Sequence, residues 1–176
     1  MNNSEGKPIV VVQDLMRQTM RRTASPVTVV TAGTGDDARG ITIGSFTSAS
    51  LDPPLITFNL SRGARMHAIL PFTDRFVVHV LGDHQADLSD HFALPDLDGK
   101  TQFATVDHSL DEGIPVLVDC QAIFYCTVHN VFPVGDHSLI VGLVERVSSR
   151  VNGDPLVYYD RAYRRVTQTI GRVDGH

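Results

Sequence analysis

Five hydroxyl side chains are concentrated in residues 40–54, which read GITIGSFTSASLDPP. They belong to Thr42, Ser45, Thr47, Ser48 and Ser50, and most of the residues around them are small. A core strand would carry bulky apolar groups at such positions. Hydroxyls beside an approachable backbone instead offer hydrogen bonds to a flat, polar, phosphorylated ligand. The segment therefore predicts a ligand-binding site.

The chain lacks the patterns that mark hydrolases and glycine-rich nucleotide-binding loops. No GxSxG turn presents a serine nucleophile, and no GxGxxG or GxxxxGK[ST] loop opens a helix. We therefore expect no covalent catalysis by a side chain. Binding of a dinucleotide or a triphosphate through those loops is also not expected.

Two segments that contain histidine are weaker candidates. His84, Asp87 and His91 lie along a predicted helix, but their spacing matches no specific metal signature, so we expect no metal. Residues 135–138 (GDHS) lie between two predicted strands, where glycine and aspartate favour a turn. Taken alone, His137 needs no role beyond beginning the second strand.

Composition indicates one globular domain with a core. The chain has 176 residues, of which 42% are apolar and 20% charged. The net charge is −5 and basic residues occur at most in pairs, so nucleic acid is not an expected partner. We expect a flexible segment over residues 1–12, a domain over 13–166 and a tail over 167–176.

Cysteine usage and hydropathy predict the compartment. Cys120 and Cys126 are the only cysteines, and their even spacing predicts two buried thiols on one face of a strand. The sequence shows no signal-peptide pattern and no apolar run of about eighteen residues. We therefore expect a cytoplasmic protein that has no membrane partner.

Strand patterns dominate the chain and predict a mainly β fold with minor helices. The expected strands cover residues 27–31, 39–46, 55–60, 76–81, 120–131, 138–147 and 156–159. About seven strands without strand–helix alternation favour an antiparallel barrel or sandwich. Pro53 and Pro54 are expected to stand outside the ladder that follows them.

Helical spacing occurs in three places. Residues 14–23 form the first predicted helix, with Asp14 as N-cap and a stripe packed on the core that comprises Leu15, Met16, Thr19 and Met20. Residues 65–70 and 85–93 form the other two. Residues 94–114 contain proline, two glycines and four aspartates, which predicts a long loop of the kind that is often functional.

Four segments together resemble the flavin reductase-like family. They read GSFTSASLDPPLITFNLSR, SDHFA, GDHSLIVGLVE and PLVYYDRAYRRV, in that order. The resemblance covers the chain from about Gln13 to about Arg165, and it is greatest to the reductase components of two-component flavin-dependent monooxygenases. It implies an FMN-binding split barrel, which is an antiparallel Greek-key β-barrel with minor helices.

The resemblance also implies roles for single residues. Those implied to bind flavin are Thr42, Ser45, Phe46, Thr47, Ser48, Ser50, Ser61, Arg62, Arg65 and Phe92. Of these, Ser61, Arg62 and Arg65 are implied to approach the phosphate, while His137 and Tyr163 are implied to border the nicotinamide. The chain departs from the family at Ala64, where a serine or threonine commonly precedes the arginine.

The implied activity is that of an NAD(P)H:flavin oxidoreductase. Such a protein reduces FMN or FAD with NADH or NADPH and supplies the reduced flavin to a partner monooxygenase. The cofactors carry the reactive atoms, so the lack of a catalytic triad is expected. A homodimer is implied as well. Two alternatives stay open: a flavin- or haem-binding protein without turnover, and a flavoenzyme that reduces another acceptor, such as ferric iron, directly.

Overall fold

A computed structural model describes residues 9–94 and 99–171. Within these ranges, twelve strands form three antiparallel sheets. The strands are β1 (Ser25–Pro26), β2 (Thr28–Ala32), β3 (Arg39–Ile43), β4 (Thr47–Leu51), β5 (Pro54–Ser61), β6 (Arg75–Val80), β7 (His108–Asp111), β8 (Ile114–Leu117), β9 (Ala122–Val134), β10 (His137–Ser149), β11 (Val157–Tyr159) and β12 (Ala162–Arg164). All seven predicted strands are present, and β1, β4, β7, β8 and β12 were not predicted from the sequence.

The main sheet has seven strands in the order β3-β2-β6-β9-β10-β5-β4. It curls so that β3 and β5 approach each other without pairing. Ser45, just after β3, bridges this split because its Oγ accepts a hydrogen bond of 2.9 Å from the backbone N–H of Asn59 in β5. The architecture is an antiparallel barrel with a split between β3 and β5, as predicted.

Strand β2 shows how the alternation of side chains builds two cores. Val30 faces a core inside the barrel with Phe58 and Phe76, while its neighbour Val29 faces a second core with Phe92. Successive side chains of a strand point to opposite faces, so one strand serves both cores. The second core lies under the helices and is closed by residues such as Phe103, Leu117 and Leu156.

The two cysteines lie in different cores. Cys126 is in β9 and faces the barrel interior, whereas Cys120 precedes β9 and lies in the second core. The prediction of one shared strand face was therefore wrong, because the strand begins after Cys120. Both thiols are free and buried as predicted, and burial raises the pKa of each to about 12.

The helices are α1 (Ile9–Met20), α2 (Ala86–Ala93) and α3 (Gly99–Phe103), with short 3₁₀ turns at Gly35–Asp37, Arg65–Ala68 and Leu70–Phe72. Helix α2 and the turn at Arg65 confirm two predictions. Among the described residues, no helix has the length and apolar character required to cross a bilayer.

Helix α1 contradicts the predicted helix in two respects. It begins at Ile9, so Asp14 lies inside it and is no N-cap. Its apolar stripe does not pack on either core: Leu15, Met16 and Met20 are between 50% and 65% exposed. Periodicity revealed an amphipathic helix, but it could not reveal that the apolar face lies away from the cores of the same chain.

Residues 94–114 are not the long loop that their composition predicts. They contain α3, β7 and the start of β8, while 95–98 lie outside the described residues. Tertiary contacts fix these short elements, since Gln102 and Phe103 of α3 are both buried. Such contacts are invisible to a local reading of glycines and aspartates.

The segment around the double proline also differs from prediction. Strand β3 ends at Ile43, and a separate strand β4 follows, paired with β5 so that Leu51 lies opposite Pro54. The Asp52–Pro53 peptide bond is cis. Pro54 is part of the ladder, contrary to the prediction, because the first residue of a strand can dispense with its N–H group.

Candidate functional site

A groove of about 590 Å³ follows the split of the barrel. His137, the first residue of β10, lies directly opposite Ser61 of β5, and Asn59 follows two residues away on the same face. Ser45 reaches this wall from the other side through its hydrogen bond with Asn59. The groove thus gathers polar side chains from three separate parts of the sequence.

The open edge of β3 adds backbone groups to this wall. At Gly40 the edge is occupied, because the side-chain amide of Gln102 accepts from the Gly40 N–H at 3.0 Å and donates to its carbonyl at 3.1 Å. Backbone groups alternate between the two sides of a strand, so those of Thr42 point to the same open side. Thr42 lines the groove, where its backbone N–H and C=O can bind a polar ligand edge.

A hydrogen bond orients the histidine at the mouth of the groove. Nδ1 of His137 donates to Oδ1 of Asp136 at 2.7 Å, which lowers the pKa of that carboxyl. With Nδ1 committed, Nε2 is the ring nitrogen available to a ligand. The backbone N–H of Arg62 donates to the Asp136 carbonyl at 3.1 Å and so joins this turn to the segment that follows β5.

A second cavity of about 270 Å³ adjoins the groove at Ile41. It is lined by Arg65 and Phe92 among others, and Arg62 lies just before it in the chain. In the described part of the chain, neither Arg62 nor Arg65 has a side-chain hydrogen bond or an ion pair, and both are exposed. Uncommitted guanidinium groups of this kind suit a phosphate, to which they can donate two parallel hydrogen bonds.

A third cavity of about 500 Å³ lies on the other side of β3 and shares residues 42–44 with the groove. Tyr163 of β12 forms part of its wall. The hydroxyl of Tyr163 contacts Ser89 Oγ at 2.9 Å and donates to Asp90 Oδ1 at 2.6 Å. Burial is the main reason why the pKa of Tyr163 is raised. Thr42 of β3 is also bonded to helix α2, since its Oγ1 donates to the Ser89 carbonyl at 2.7 Å.

Comparison with known proteins places this arrangement in a family. Residues 20–167 match the flavin reductase like domain. The chain belongs to this family. The family prediction from the sequence is therefore confirmed.

Relatives whose names describe an activity support the same conclusion. The reductase component of 4-hydroxyphenylacetate 3-monooxygenase from Thermus thermophilus is 36% identical over 88% of this chain and 97% of its own length. An NADH:FMN oxidoreductase from Rhodococcus erythropolis is also 36% identical, over 86% of this chain and 80% of its own. An NADH:FAD oxidoreductase from Streptomyces globisporus, solved with NAD and FAD fragments, superposes with a TM-score of 0.84. It is 32% identical and the match covers 94% of this chain and 98% of that one.

These relatives confirm the predicted split-barrel fold, flavin reductase activity, and the use of flavin with a reduced nicotinamide. The flavin reductase brings four of the predicted site residues together around the split groove: Thr42, Ser45, Ser61 and His137. Arg65 and Phe92 line the adjoining cavity, and Tyr163 lines the third.

The remaining predicted residues lie elsewhere in the flavin reductase. The ring of Phe46 packs on the barrel core, 5.3 Å from that of Phe124. Thr47 and Ser48 are exposed on β4, and Ser50 is partly buried there. Phe92, which is 1% exposed, belongs to the second core as much as to the cavity beside Arg65.

Sequence reasoning missed three contributors to the site. Asn59 lies on the outward face of β5, between the buried Phe58 and Leu60, where a polar residue fits the ordinary alternation and gave no distinct signal. Asp136 was interpreted only as a turn residue, although it also holds His137. Gln102, which occupies the β3 edge at Gly40, gave no local signal because its partner lies 62 residues away in the chain.

Proposed function

We propose that this flavin reductase binds NADH and a flavin, FMN or FAD, beside the open edge of β3 and releases the reduced flavin to a separate monooxygenase. The observation that carries the proposal is the split groove, where hydroxyl, imidazole and free backbone groups adjoin two uncommitted arginines. One named relative is the reductase component of a monooxygenase, which supports a separate oxygenase as partner.

The residues of the groove fit the polar edge of a flavin ring. When bound, the two cofactors supply the chemistry, which is the transfer of a hydride from nicotinamide to flavin. Ser45 and the backbone of Thr42 provide hydrogen bonds at the open split. Fixed donors of this kind stabilise negative charge that develops on a ligand. Thr47, Ser48 and Ser50 are proposed to extend this polar surface along β4.

The phosphate end is proposed to lie at the second cavity. Arg65 and Arg62 donate charge-assisted hydrogen bonds there, with Ser61 beside them. Ser61 Oγ accepts from the Gly63 N–H at 3.3 Å and retains its own O–H to donate. Ala64 offers no hydroxyl at the start of the 3₁₀ turn, so the arginines carry more of the phosphate binding in this chain.

His137 and Tyr163 are proposed to serve the nicotinamide donor. Nε2 of His137 is available at the mouth of the groove, where it can hold the carboxamide or the diphosphate of NADH. Tyr163 acts as part of the wall, because its hydroxyl is already bonded to helix α2. Phe46 and Phe92 support the site through packing.

We also propose a homodimer in the cytoplasm, with residues 13–166 as its functional domain. Helix α1 exposes apolar side chains such as Leu15 and Met16, and Met16 lines the split groove beside the exposed Val134. A second copy that covers α1 would bury these groups and complete the wall of the groove. The cytoplasm supplies NADH and keeps thiols such as Cys120 and Cys126 reduced.

The test is anaerobic oxidation of NADH by the purified protein with FMN, FAD or riboflavin, followed at the nicotinamide absorbance. Catalytic oxidation with release of reduced flavin supports the proposal. Tight flavin retention without turnover would establish a binding protein instead. Oxidation that requires added ferric iron, with flavin retained, would establish direct reduction of another acceptor. Light scattering during size exclusion tests the dimer.

A further inference from the structure

The third cavity has a composition that the proposed flavin site does not use. It lies between β1, helix α2 and the hairpin of β11 and β12, and its volume of about 500 Å³ is in the range of ligand pockets. The third cavity and the split groove share residues 42–44 in their walls, so the two spaces adjoin at the end of β3. One extended ligand could therefore occupy both.

Two tyrosines give this cavity a rigid aromatic wall. The rings of Tyr158 and Tyr163 are 5.7 Å apart and inclined at 66°, and Tyr163 is fixed by hydrogen bonds to Ser89 and Asp90. Tyr158 is 40% exposed although it lines the cavity. A partly exposed ring held against a fixed neighbour offers a surface on which a flat heterocycle can stack.

Arg161 brings a positive charge to the same wall at a conformational cost. It and Asp160 form the two-residue turn of the hairpin with φ values of +62° and +49°. Glycine is favoured at such positions because side chains crowd the backbone there. The Asp160 N–H donates to the Arg21 carbonyl at 2.7 Å, which anchors the turn to the end of α1. Among the described residues, no hydrogen bond or ion pair occupies the exposed Arg161 guanidinium.

We propose that this cavity binds an adenosine diphosphate group, with the purine stacked on Tyr158 and the diphosphate bonded to Arg161. Asp90 uses Oδ1 for Tyr163, and its Oδ2 can accept a hydrogen bond from a ribose hydroxyl. The inference rests on the proposed function, since NADH and FAD both carry this group. Because the cavity adjoins the split groove at residues 42–44, the remainder of either molecule would extend towards the β3 edge.

The experiment uses Arg161→Gly and Tyr158→Ala in the full chain. Glycine suits the left-handed turn, so Arg161→Gly removes the guanidinium while the melting temperature is kept or raised. With FMN as acceptor, NADH is the one substrate that contains adenosine diphosphate. If NADH occupies the cavity, each variant raises the KM for NADH about tenfold, as loss of a base stack or a charged hydrogen bond does. If FAD occupies it, the KM for FAD rises and those for NADH and FMN do not.

Arg164→Ala and Tyr159→Phe are the matched controls, because both residues belong to the same hairpin but not to the cavity wall. Their KM values should equal those of the unchanged protein. Unchanged KM values for NADH and FAD in both cavity variants overturn the inference. Calorimetric titration with ADP separates this inference from the proposed function. If the unchanged protein oxidises no NADH but binds ADP more tightly than the Arg161→Gly variant does, the cavity assignment still holds. Equal ADP binding by the two proteins overturns it.

Discussion

Two groups of arginines lie on this barrel, and they differ in whether folding has already paired them. Arg75 contacts Glu112 and Glu145, and Arg146 contacts Asp111 and lies 3.5 Å above the ring of Tyr125. Pairing with Glu112 is the main reason why the pKa of Arg75 is raised. These charges join the hairpin of β7 and β8 to the barrel, and their donors are used.

Arg62 and Arg65 lie beside the second cavity, and within residues 9–94 and 99–171 neither forms an ion pair. A paired guanidinium must lose its partner before it can bind an anion, whereas an uncommitted one loses only water. We therefore expect the first group to serve stability, and the proposed function assigns the second group to ligand binding. The histidines show the same contrast, because His79 uses both ring nitrogens and His137 uses one.

The largest expected effect concerns the committed histidine. His79 is fully buried, donates from Nδ1 to the Val29 carbonyl at 3.0 Å and accepts at Nε2 from the Leu117 N–H at 3.1 Å. Burial lowers its pKa from 6.5 to about 4. The folded state thus binds this proton less readily than the unfolded chain. Its stabilisation is complete above pH 6.5 and is lost as the pH falls towards 4, by roughly 3 kcal/mol in total.

Urea unfolding between pH 4 and 8 measures this loss. His79→Gln should flatten the slope of stability against pH over the window from 6.5 to 4, at the cost of lower stability throughout. Thr31→Val is the matched control, because it removes another buried hydrogen bond, from Thr31 to the Pro115 carbonyl, without removing an ionisable group, and it should keep the slope of the unchanged protein. An equal slope in the His79 variant would show that other groups cause the acid sensitivity.

The next effect concerns the uncommitted arginines. Arg65→Ala should raise the KM for FMN by roughly tenfold to a hundredfold, because it removes a charge-assisted hydrogen bond to the phosphate. Riboflavin has no phosphate, so its KM should not change, and this tests the phosphate end specifically. Arg146→Ala should leave both values as they are. A parallel rise for riboflavin would mean that Arg65 shapes the ring site instead.

A smaller effect is expected at His137. His137→Ala should raise the KM for NADH about fivefold through loss of one hydrogen bond, with little change in the KM for FMN. Asp136→Asn should have a weaker effect in the same direction, since it alters the partner that orients the ring. Steady-state kinetics with each substrate varied in turn measures both. An unchanged KM and rate in the His137 variant would exclude the proposed role.

The smallest effect is expected at the paired arginines. Arg75→Met should lower the melting temperature slightly, and less so in high salt, because exposed ion pairs are screened. It should leave every KM unchanged. Thermal melts at low and high salt, combined with the kinetic assay, check both statements. A raised KM for flavin would contradict the expectation that the paired arginines take no part in flavin binding.

Sequence patterns located the major strands and parts of the site for physical reasons. Strand β2 was predicted from its β-branched residues and helix α2 from its helical spacing, and both formed within a residue or so of the predicted bounds. Hydroxyls of residues 40–54 indicated a binding surface because polar groups are unusual in a core strand. Several of these residues, however, form the separate strand β4, and the side chain of Phe46 packs against the barrel core.

The missed features depend on partners that are distant in the sequence. Helix α3 and β7 are short and stand in a segment of loop composition, so local propensity does not predict them. Gln102 acts as a substitute strand partner for Gly40 only because the fold brings the two together. The apolar face of α1 was recognised, but the sequence pattern does not indicate which surface that face packs against.

By itself, the sequence determined a mainly β fold and a polar binding segment, because strand patterns and hydroxyl content are local properties of the chain. The split barrel, the family and the flavin followed from the resemblance of four segments to the flavin reductase-like family. The tertiary structure decided which of these groups are free to bind. Arg65 and Arg75 are the same residue type, yet among the described residues Arg75 forms ion pairs with Glu112 and Glu145 whereas Arg65 forms none. The same holds for the cavity of Tyr158 and Arg161, which exists because β12 places Tyr163 against α2. A polar or charged side chain is available to a ligand only if folding leaves it without a partner in the protein. Pairing depends on distances between residues in the folded chain, which the sequence does not contain.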